Sequence, residues 1–193
     1  MLDSYEVYYV VLRGSARRPI FSDDEDRRHF THIVEESVAA CAVRLHAFCW
    51  TATEARLAVA MSEQPIGQFA ERIVELHARR LVREPTMTGS HLEQQRYRGV
   101  LIDGRSGLLD LVRHIHMAPV KSGLVRDPAD YGWSSHRAYL GLESIPWLTT
   151  EPVLALFSPQ PAEAREAYRD FIRGIGDGRR VDFRYARGEN SPP

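Results

Sequence analysis

Hydrophobic and polar positions follow two different periods along this chain, and the alternation between them predicts its elements. Runs of β-branched, aromatic and other apolar residues bounded by turn residues predict strands at 7–12, 42–51, 56–60 and 97–102. Apolar residues spaced three and four apart predict helices at 23–41, 66–83 and 107–117. The order β-α-β-β-α-β-α contains the ferredoxin-like split βαβ unit. We therefore expect an α+β fold, with an antiparallel sheet and helices on one face.

The pattern changes after residue 123, where turn residues and short helical stretches replace the long elements. Short helices are expected at 135–140, 150–157 and 162–174. We predict a main domain over 1–123, a C-terminal helical extension over 124–175 and a flexible tail over 176–193, which is rich in Gly, Arg and Pro. Four aromatic residues are expected to anchor the extension on the main domain: Trp133, Tyr139, Trp147 and Phe171.

The composition is that of an ordinary globular protein. The 193 residues carry a net charge of −1, with 44% hydrophobic and 26% charged residues, which argues against disorder and against a wholly basic nucleic-acid coat. Cys41 and Cys49 are the only cysteines, and they lack the spacing of a zinc site or a disulfide framework. The sequence shows neither a signal peptide nor a bilayer-spanning apolar segment. The chain is therefore expected in the cytoplasm, without a membrane partner.

The cationic residues are almost all arginine. Lys121 is the only lysine, so 24 of the 25 cationic side chains are guanidinium groups. Guanidinium forks match phosphate oxygens and guanine edges bidentately, which favours recognition of nucleic acid. A GC-rich genome, whose codons favour arginine, would produce the same bias.

Five segments between Tyr8 and Gly141 resemble a known family. In chain order they read YYVVLRGSARRPIFSDDEDRRHF, VRLHAF, SHLEQQRYRGVLI, HIHMAPVKSGLV and DYGWSSHRAYLG. This set resembles the REP-associated tyrosine transposases, which are single-tyrosine HUH transposases related to those of insertion sequences. The resemblance implies a ferredoxin-like HUH fold that acts on single-stranded, hairpin-bearing DNA.

The resemblance also implies a particular chemistry. In the family, two histidines separated by one apolar residue bind a divalent metal, because alternate residues of a strand point to the same face. A tyrosine on a later helix attacks the scissile phosphate and forms a 5′-phosphotyrosine, while the metal polarises the phosphoryl oxygens. A polar residue one helical turn beyond the tyrosine helps to complete the metal site.

This chain departs from the family at each of those positions. In the family register the two metal-binding histidines are Glu54 and Arg56, the nucleophilic tyrosine is His114 and the polar residue is Ala118. A guanidinium keeps its proton and repels a divalent cation. We expect Arg56 to supply a fixed positive charge and to pair with the neighbouring acid or with a phosphate. The sequence therefore predicts no metal, no other cofactor and no catalysis.

Two other features resemble catalytic groups without their geometry. His114 and His116 form a His-apolar-His string on a predicted helix, where residues two apart lie about 200° apart around the axis. We expect these imidazoles to diverge, one partly packed and one exposed. Tyr97 is a possible substitute nucleophile, but it falls on a predicted strand, where packing or stacking is expected.

The residues expected to bind DNA are basic or aromatic and lie in or near the family-like segments. They are Arg13, Arg17, Arg18, Arg79, Arg80, Arg83, Arg96, Tyr97, Arg98, Lys121 and Arg137. Exposed arginines beside aromatic residues suit phosphates and unstacked bases. The leading hypothesis is a domesticated, catalytically inactive transposase-like protein, associated with the nucleoid, that binds promoter or hairpin-containing DNA and regulates transcription.

Two alternatives stay open at this point. One is an active or residually active single-strand DNA nickase that uses displaced residues. The other is a protein-interaction module whose sheet face or C-terminal helices bind a protein instead of DNA. The sequence determines neither the strandedness of the DNA nor the oligomeric state, because related enzymes include both dimers and monomers.

Overall fold

A computed structural model describes residues 6–14, 19–61, 65–83, 98–102 and 104–174, with side chains left out at 81–83 and 98–100. It contains four strands: β1 (Glu6–Arg13), β2 (Arg44–Trp50), β3 (Glu54–Met61) and β4 (Arg98–Ile102). They form one sheet in the order β2-β3-β1-β4, and every neighbouring pair is antiparallel. This is the strand order of the ferredoxin-like split βαβ unit, so the predicted α+β fold is confirmed.

Seven helices accompany the sheet in the described part of the chain. They are α1 (Asp24–Ala40), α2 (Ile66–Arg83), α3 (Gly104–His116), α4 (Ala118–Lys121), α5 (His136–Tyr139), α6 (Glu151–Leu154) and α7 (Pro161–Arg173). Asp23 caps α1, since its side chain accepts the backbone N–H of Asp26 at 2.9 Å. No described helix is both long and apolar enough to cross a membrane.

The predicted elements are present, and their ends differ for local reasons. β3 begins at Glu54, two residues before the predicted start, because Glu54 pairs with Arg13 of β1. β2 begins at Arg44, two residues late, because Ala42 takes a left-handed conformation with φ 50° and turns the chain. α3 begins at Gly104, three residues before the predicted start at 107. The prediction missed this first turn because the turn lacks the apolar spacing that marks the buried part of the helix.

Helices cover both faces of the sheet, which corrects the expectation of helices on one face. α1 and α2 lie on one face, where Phe30 of α1 meets Trp50 of β2 edge to face at 5.1 Å between ring centroids. α3 lies on the other face, where His114 meets Tyr9 of β1. The reason is visible in β1, whose neighbours Tyr9 and Val10 point to opposite faces and are 2% and 0% exposed. A strand that is apolar on both faces needs cover on both.

The C-terminal extension completes the fold along the outer edge of β2. The backbone N–H of Trp50 donates to the carbonyl of Trp133 at 2.8 Å, and that of Thr149 donates to Leu45 at 2.8 Å. These bonds satisfy an edge that would otherwise expose unpaired backbone groups.

All four aromatic residues predicted to anchor the extension contact the main domain. Trp133 lies beneath the guanidinium of a residue in α1, Trp147 stacks on a phenyl ring of β2, and Tyr139 and Phe171 contact side chains of α3. The boundary at residue 123 stays a prediction. The predicted tail, 176–193, lies outside the described residues.

A buried polar network joins α3 to the extension. The Tyr168 hydroxyl lies 2.7 Å from Nδ1 of His116 and 2.6 Å from Nδ1 of His136. The other nitrogen of His116, Nε2, lies 2.7 Å from the hydroxyl of Ser135, which also accepts the backbone N–H of Phe48 at 2.9 Å. Burial lowers the pKa of His136 to about 4 and that of His116 well below its usual value. Both imidazoles are therefore neutral at pH 7, and the Tyr168 hydroxyl lies within hydrogen-bond distance of both.

Removing that hydroxyl is expected to destabilise the protein strongly. Tyr168→Phe leaves a buried nitrogen of His116 and another of His136 without their partner, which costs about 3 kcal/mol of the free energy of unfolding. Tyr131→Phe is the matched control, because its hydroxyl makes a single half-buried bond to the carbonyl of Trp50 at 2.7 Å, which contributes about 1 kcal/mol. Urea denaturation measures both, and equal losses would contradict the shared role of Tyr168.

Candidate functional site

An acid held between two arginines lies at the end of the central strands, on the sheet face that α3 covers. The antiparallel register places Arg13 of β1 directly opposite Glu54 of β3. Nε of Arg13 donates to Oε1 of Glu54 at 2.7 Å, and Nη2 of Arg56 donates to Oε2 at 2.5 Å. Arg56 reaches the same acid because residues two apart on a strand share a face. We call Arg13, Glu54 and Arg56 the arginine clamp.

Electrostatics keep the acid of the clamp ionised. Burial alone would raise the pKa of Glu54, but the charges of Arg56 and Arg13 outweigh it and hold the pKa below its usual value. The side chains of Glu54 and Arg56 are 18% and 19% exposed, so solvent screens this pair less than a surface ion pair. At neutral pH the clamp carries one net positive charge.

His114 lies close to the clamp, on the face of α3 that packs on the sheet. Its Nε2 lies 3.2 Å from the hydroxyl of Tyr9, with the two rings edge to face. Burial, helped by the charges of Lys121 and Arg56 and opposed by that of Glu54, lowers the pKa of His114 to about 4. The positions to which the resemblance assigns a nucleophile and metal ligands therefore influence one another electrostatically, and the imidazole of His114 is neutral at pH 7.

Lys121 adds a third cation to the two arginines of the clamp. It ends α4, and its exposed ammonium makes no salt bridge with any described residue. Partial burial lowers the pKa of Lys121, and the charges of Arg56 and Arg113 lower it further. We call Arg56, Lys121, Glu54 and His114 the basic site. With Arg13, it sets three cations against one carboxylate.

The residues present do not fit the divalent metal that the family resemblance implies. Both carboxylate oxygens of Glu54 are bonded to guanidinium groups, and Arg56 repels a cation. Ala118, at the start of α4, is buried and offers only a methyl group. Within the part of the chain that the structure describes, no three His, Cys, Asp or Glu residues come together as a metal-binding group.

The two histidines of the His-apolar-His string diverge, as expected for a helix. His114 faces Tyr9 on the sheet, whereas His116 faces Tyr168 and Ser135 of the extension. The expectation that one of them is exposed was wrong. His116 is fully buried and His114 is half-buried, because the extension covers the side of α3 that the sheet does not.

The structure brings together only part of the set predicted to bind DNA. Arg13 and Lys121 lie at the basic site. Arg79 and Arg80 lie on α2, beyond the opposite face of the sheet, and Arg79 pairs with Glu75 at 2.5 Å. Arg137 donates to a backbone carbonyl of the extension at 3.2 Å. The described residues of the predicted set are therefore divided between the two sides of the sheet.

Six further residues of that set stay predictions. Arg17, Arg18, Arg96 and Tyr97 lie outside the described residues, and only the backbone of Arg83 and Arg98 is described. In the sequence, Arg17 and Arg18 come four and five residues after Arg13, which ends β1 and belongs to the clamp. No role is assigned to these side chains from the structure.

Sequence reasoning missed two side chains near the basic site. The sequence pattern marks Tyr9 only as part of an apolar strand. However, Tyr9 lies on the same face of β1 as Arg13, which follows it by four residues. That spacing was the available signal. Arg113 lowers the pKa of Lys121 by its charge, and a contact between α3 and the end of α4 has no comparable signature in the sequence.

Comparisons with known proteins show which solved structure has a similar fold. No family model matches the sequence, and no curated protein matches it. Among solved structures, a REP-associated tyrosine transposase bound to a REP hairpin aligns with a TM-score of 0.61 at 14% identity, over 75% of this chain and 86% of that one. A candidate transposase from Deinococcus radiodurans R1 aligns with a TM-score of 0.44 at 12% identity, over 62% of this chain and 91% of that one. The first likeness shows that this chain has the fold of that transposase.

The neutrality of His114 can be measured directly. A folded pKa of about 4 against about 6.5 unfolded means that the unfolded state binds more protons between those pH values. The stability that neutral His114 contributes is complete above about pH 6.5 and is lost as the pH falls toward 4. Imidazole NMR titration, with His114→Gln to assign the signal, should give a midpoint near 4. A midpoint near 6.5 would contradict the buried site.

Proposed function

We propose, from the premise that this chain has the fold of a REP-associated tyrosine transposase, that it is a DNA-binding protein which no longer cuts DNA. In this proposal it is a domesticated transposase-like protein that regulates transcription in the cytoplasm, at the nucleoid. The observation that carries the proposal is the arginine clamp at Glu54 and Arg56, where the resemblance predicts metal-binding histidines. A fixed guanidinium can hold a phosphate but cannot polarise it as a Lewis acid does.

The chemistry of the site supports the proposed loss of cleavage. The family's reaction needs a phenol nucleophile and a metal that stabilises charge on the phosphoryl oxygens. Here the position of the phenol holds His114, whose Nε2 is engaged with Tyr9 at 3.2 Å. The position of the metal holds an ion pair. Both the phenol nucleophile and the metal-binding histidines of the family's reaction are therefore replaced at their positions in this sequence.

Retention of DNA binding is supported by charge and by the neighbouring structure. The basic site gathers more cations than acids on a protein whose net charge is −1, so the surface is polarised although the total is balanced. The structural neighbour holds a REP hairpin. Hairpin DNA is therefore the first substrate to test, with duplex and single strands beside it.

The proposal predicts binding without covalent chemistry. Fluorescence anisotropy at low salt should show binding to a hairpin oligonucleotide, and the slope of affinity against salt reports the number of phosphates engaged. Denaturing gels should show no protein–DNA adduct with Mg²⁺ or Mn²⁺. His114→Tyr restores the phenol but not the metal, so it should form no adduct either. Absence of binding to every DNA form at low salt would overturn the proposal.

The nickase alternative has one specific candidate among the described residues. The hydroxyl of Tyr9 lies beside the neutral His114, which could act as its base. Against it, Tyr9 is 2% exposed beneath α3, so a phosphate has no access to the phenol. An adduct that forms with the unaltered protein and disappears in Tyr9→Phe would establish this alternative.

The protein-interaction alternative is separated by nuclease. A partner captured from cells through DNA is lost when the extract is treated with nuclease, whereas a partner bound directly persists. We expect loss of captured partners on treatment.

A further inference from the structure

The cations of the basic site keep donors that no described residue uses. Arg56 makes one hydrogen bond, through Nη2 to Glu54; its Nε is buried without a partner, and 19% of its side chain is exposed. Lys121 has no salt bridge among the described residues. Arg56 lies on the sheet face that α3 covers, and Lys121 ends α4, which directly follows α3. The charges of both cations lower the pKa of His114. The region therefore has charge and hydrogen-bond donors to spare.

The arrangement of charges favours an anion there. Burial lowers the pKa of Lys121, and the like charges of Arg56 and Arg113 act in the same direction. Glu54 already shares its two oxygens between Arg13 and Arg56. An added cation would increase this repulsion, whereas an added anion would relieve it. A phosphate group has the geometry and charge that a guanidinium and an ammonium bind together.

We propose that Arg56 and Lys121 together bind one phosphate group of the DNA backbone, with the guanidinium in the place that a divalent metal takes in the family. This inference rests on the proposed function and specifies its contact. In this proposal Glu54 is a positioning residue, because its carboxylate accepts a hydrogen bond from the guanidinium of Arg56, two residues along the same strand. DNA binding at this site is therefore independent of divalent metal.

Substitutions that remove one charge test the site. Arg56→Gln and Lys121→Gln should each weaken hairpin binding about 10-fold and reduce the salt slope by about one. Arg28→Gln is the matched control: it removes one charge from an exposed residue of α1, on the opposite side of the sheet, and should change the affinity less than about 2-fold. Circular dichroism establishes that each variant is folded.

Glu54→Gln separates positioning from simple charge. Counting charges alone, loss of an acid makes the site more positive and should tighten DNA binding. If Glu54 positions Arg56, the same variant should bind the hairpin several-fold more weakly, because the guanidinium loses its fixed orientation. Tighter binding by Glu54→Gln would overturn the positioning role.

The single lysine gives a direct spectroscopic readout. Lysine labelled at its side chain yields one side-chain signal from this chain, that of Lys121. The signal should shift on addition of inorganic phosphate, and of hairpin DNA in the presence of EDTA, and the phosphate shift should be lost in Arg56→Gln. Full-affinity DNA binding by both Arg56→Gln and Lys121→Gln, or binding that EDTA abolishes, would overturn this inference. Absence of any DNA binding would instead overturn the proposed function.

Discussion

The ion pair of Glu54 with Arg13 and Arg56 is the interaction on which the chemistry of this site depends. Breaking a partly buried pair by removing one partner is expected to be costly, because it leaves a desolvated charge behind. The pair also uses both oxygens of the only carboxylate at the site. The clamp therefore determines what the site can bind: it disfavours metal cations and leaves surplus donors for an anion.

The fold places this ion pair opposite α3. Because β1 is buried on both faces, the sheet needs helices on both, and α3 brings His114 onto the face that carries Arg56. The extension then fixes α3 from its other side through the Tyr168 hydroxyl. In the family that the sequence resembles, a nucleophile on this helix acts with a metal on the sheet. In this chain, α3 instead holds the neutral imidazole of His114 on the sheet face that carries Arg56.

Periodicity along the chain was enough to predict the strands and helices, because these are short-range properties. The sequence left two partners open for Arg56, the neighbouring acid or a phosphate, and the structure pairs it with Glu54. Interactions across the fold were less accessible. The partnership of Arg13 with Glu54 depends on the register of β1 against β3. Burial of His116 depends on residues of the extension that lie far along the chain: Ser135, 19 residues later, and Tyr168, 52 residues later. Tyr9 was missed because an aromatic residue in an apolar strand carries no sign of its neighbour on a distant helix.

A crystal structure of the protein with a hairpin oligonucleotide, grown with Mg²⁺, would show what the basic site binds. We expect a backbone phosphate within hydrogen-bond distance of both Arg56 and Lys121, with the clamp intact and no metal ion between Glu54 and the DNA. A metal ion coordinated by Glu54 at the phosphate, or DNA bound only through the α2 side of the sheet, would contradict this expectation.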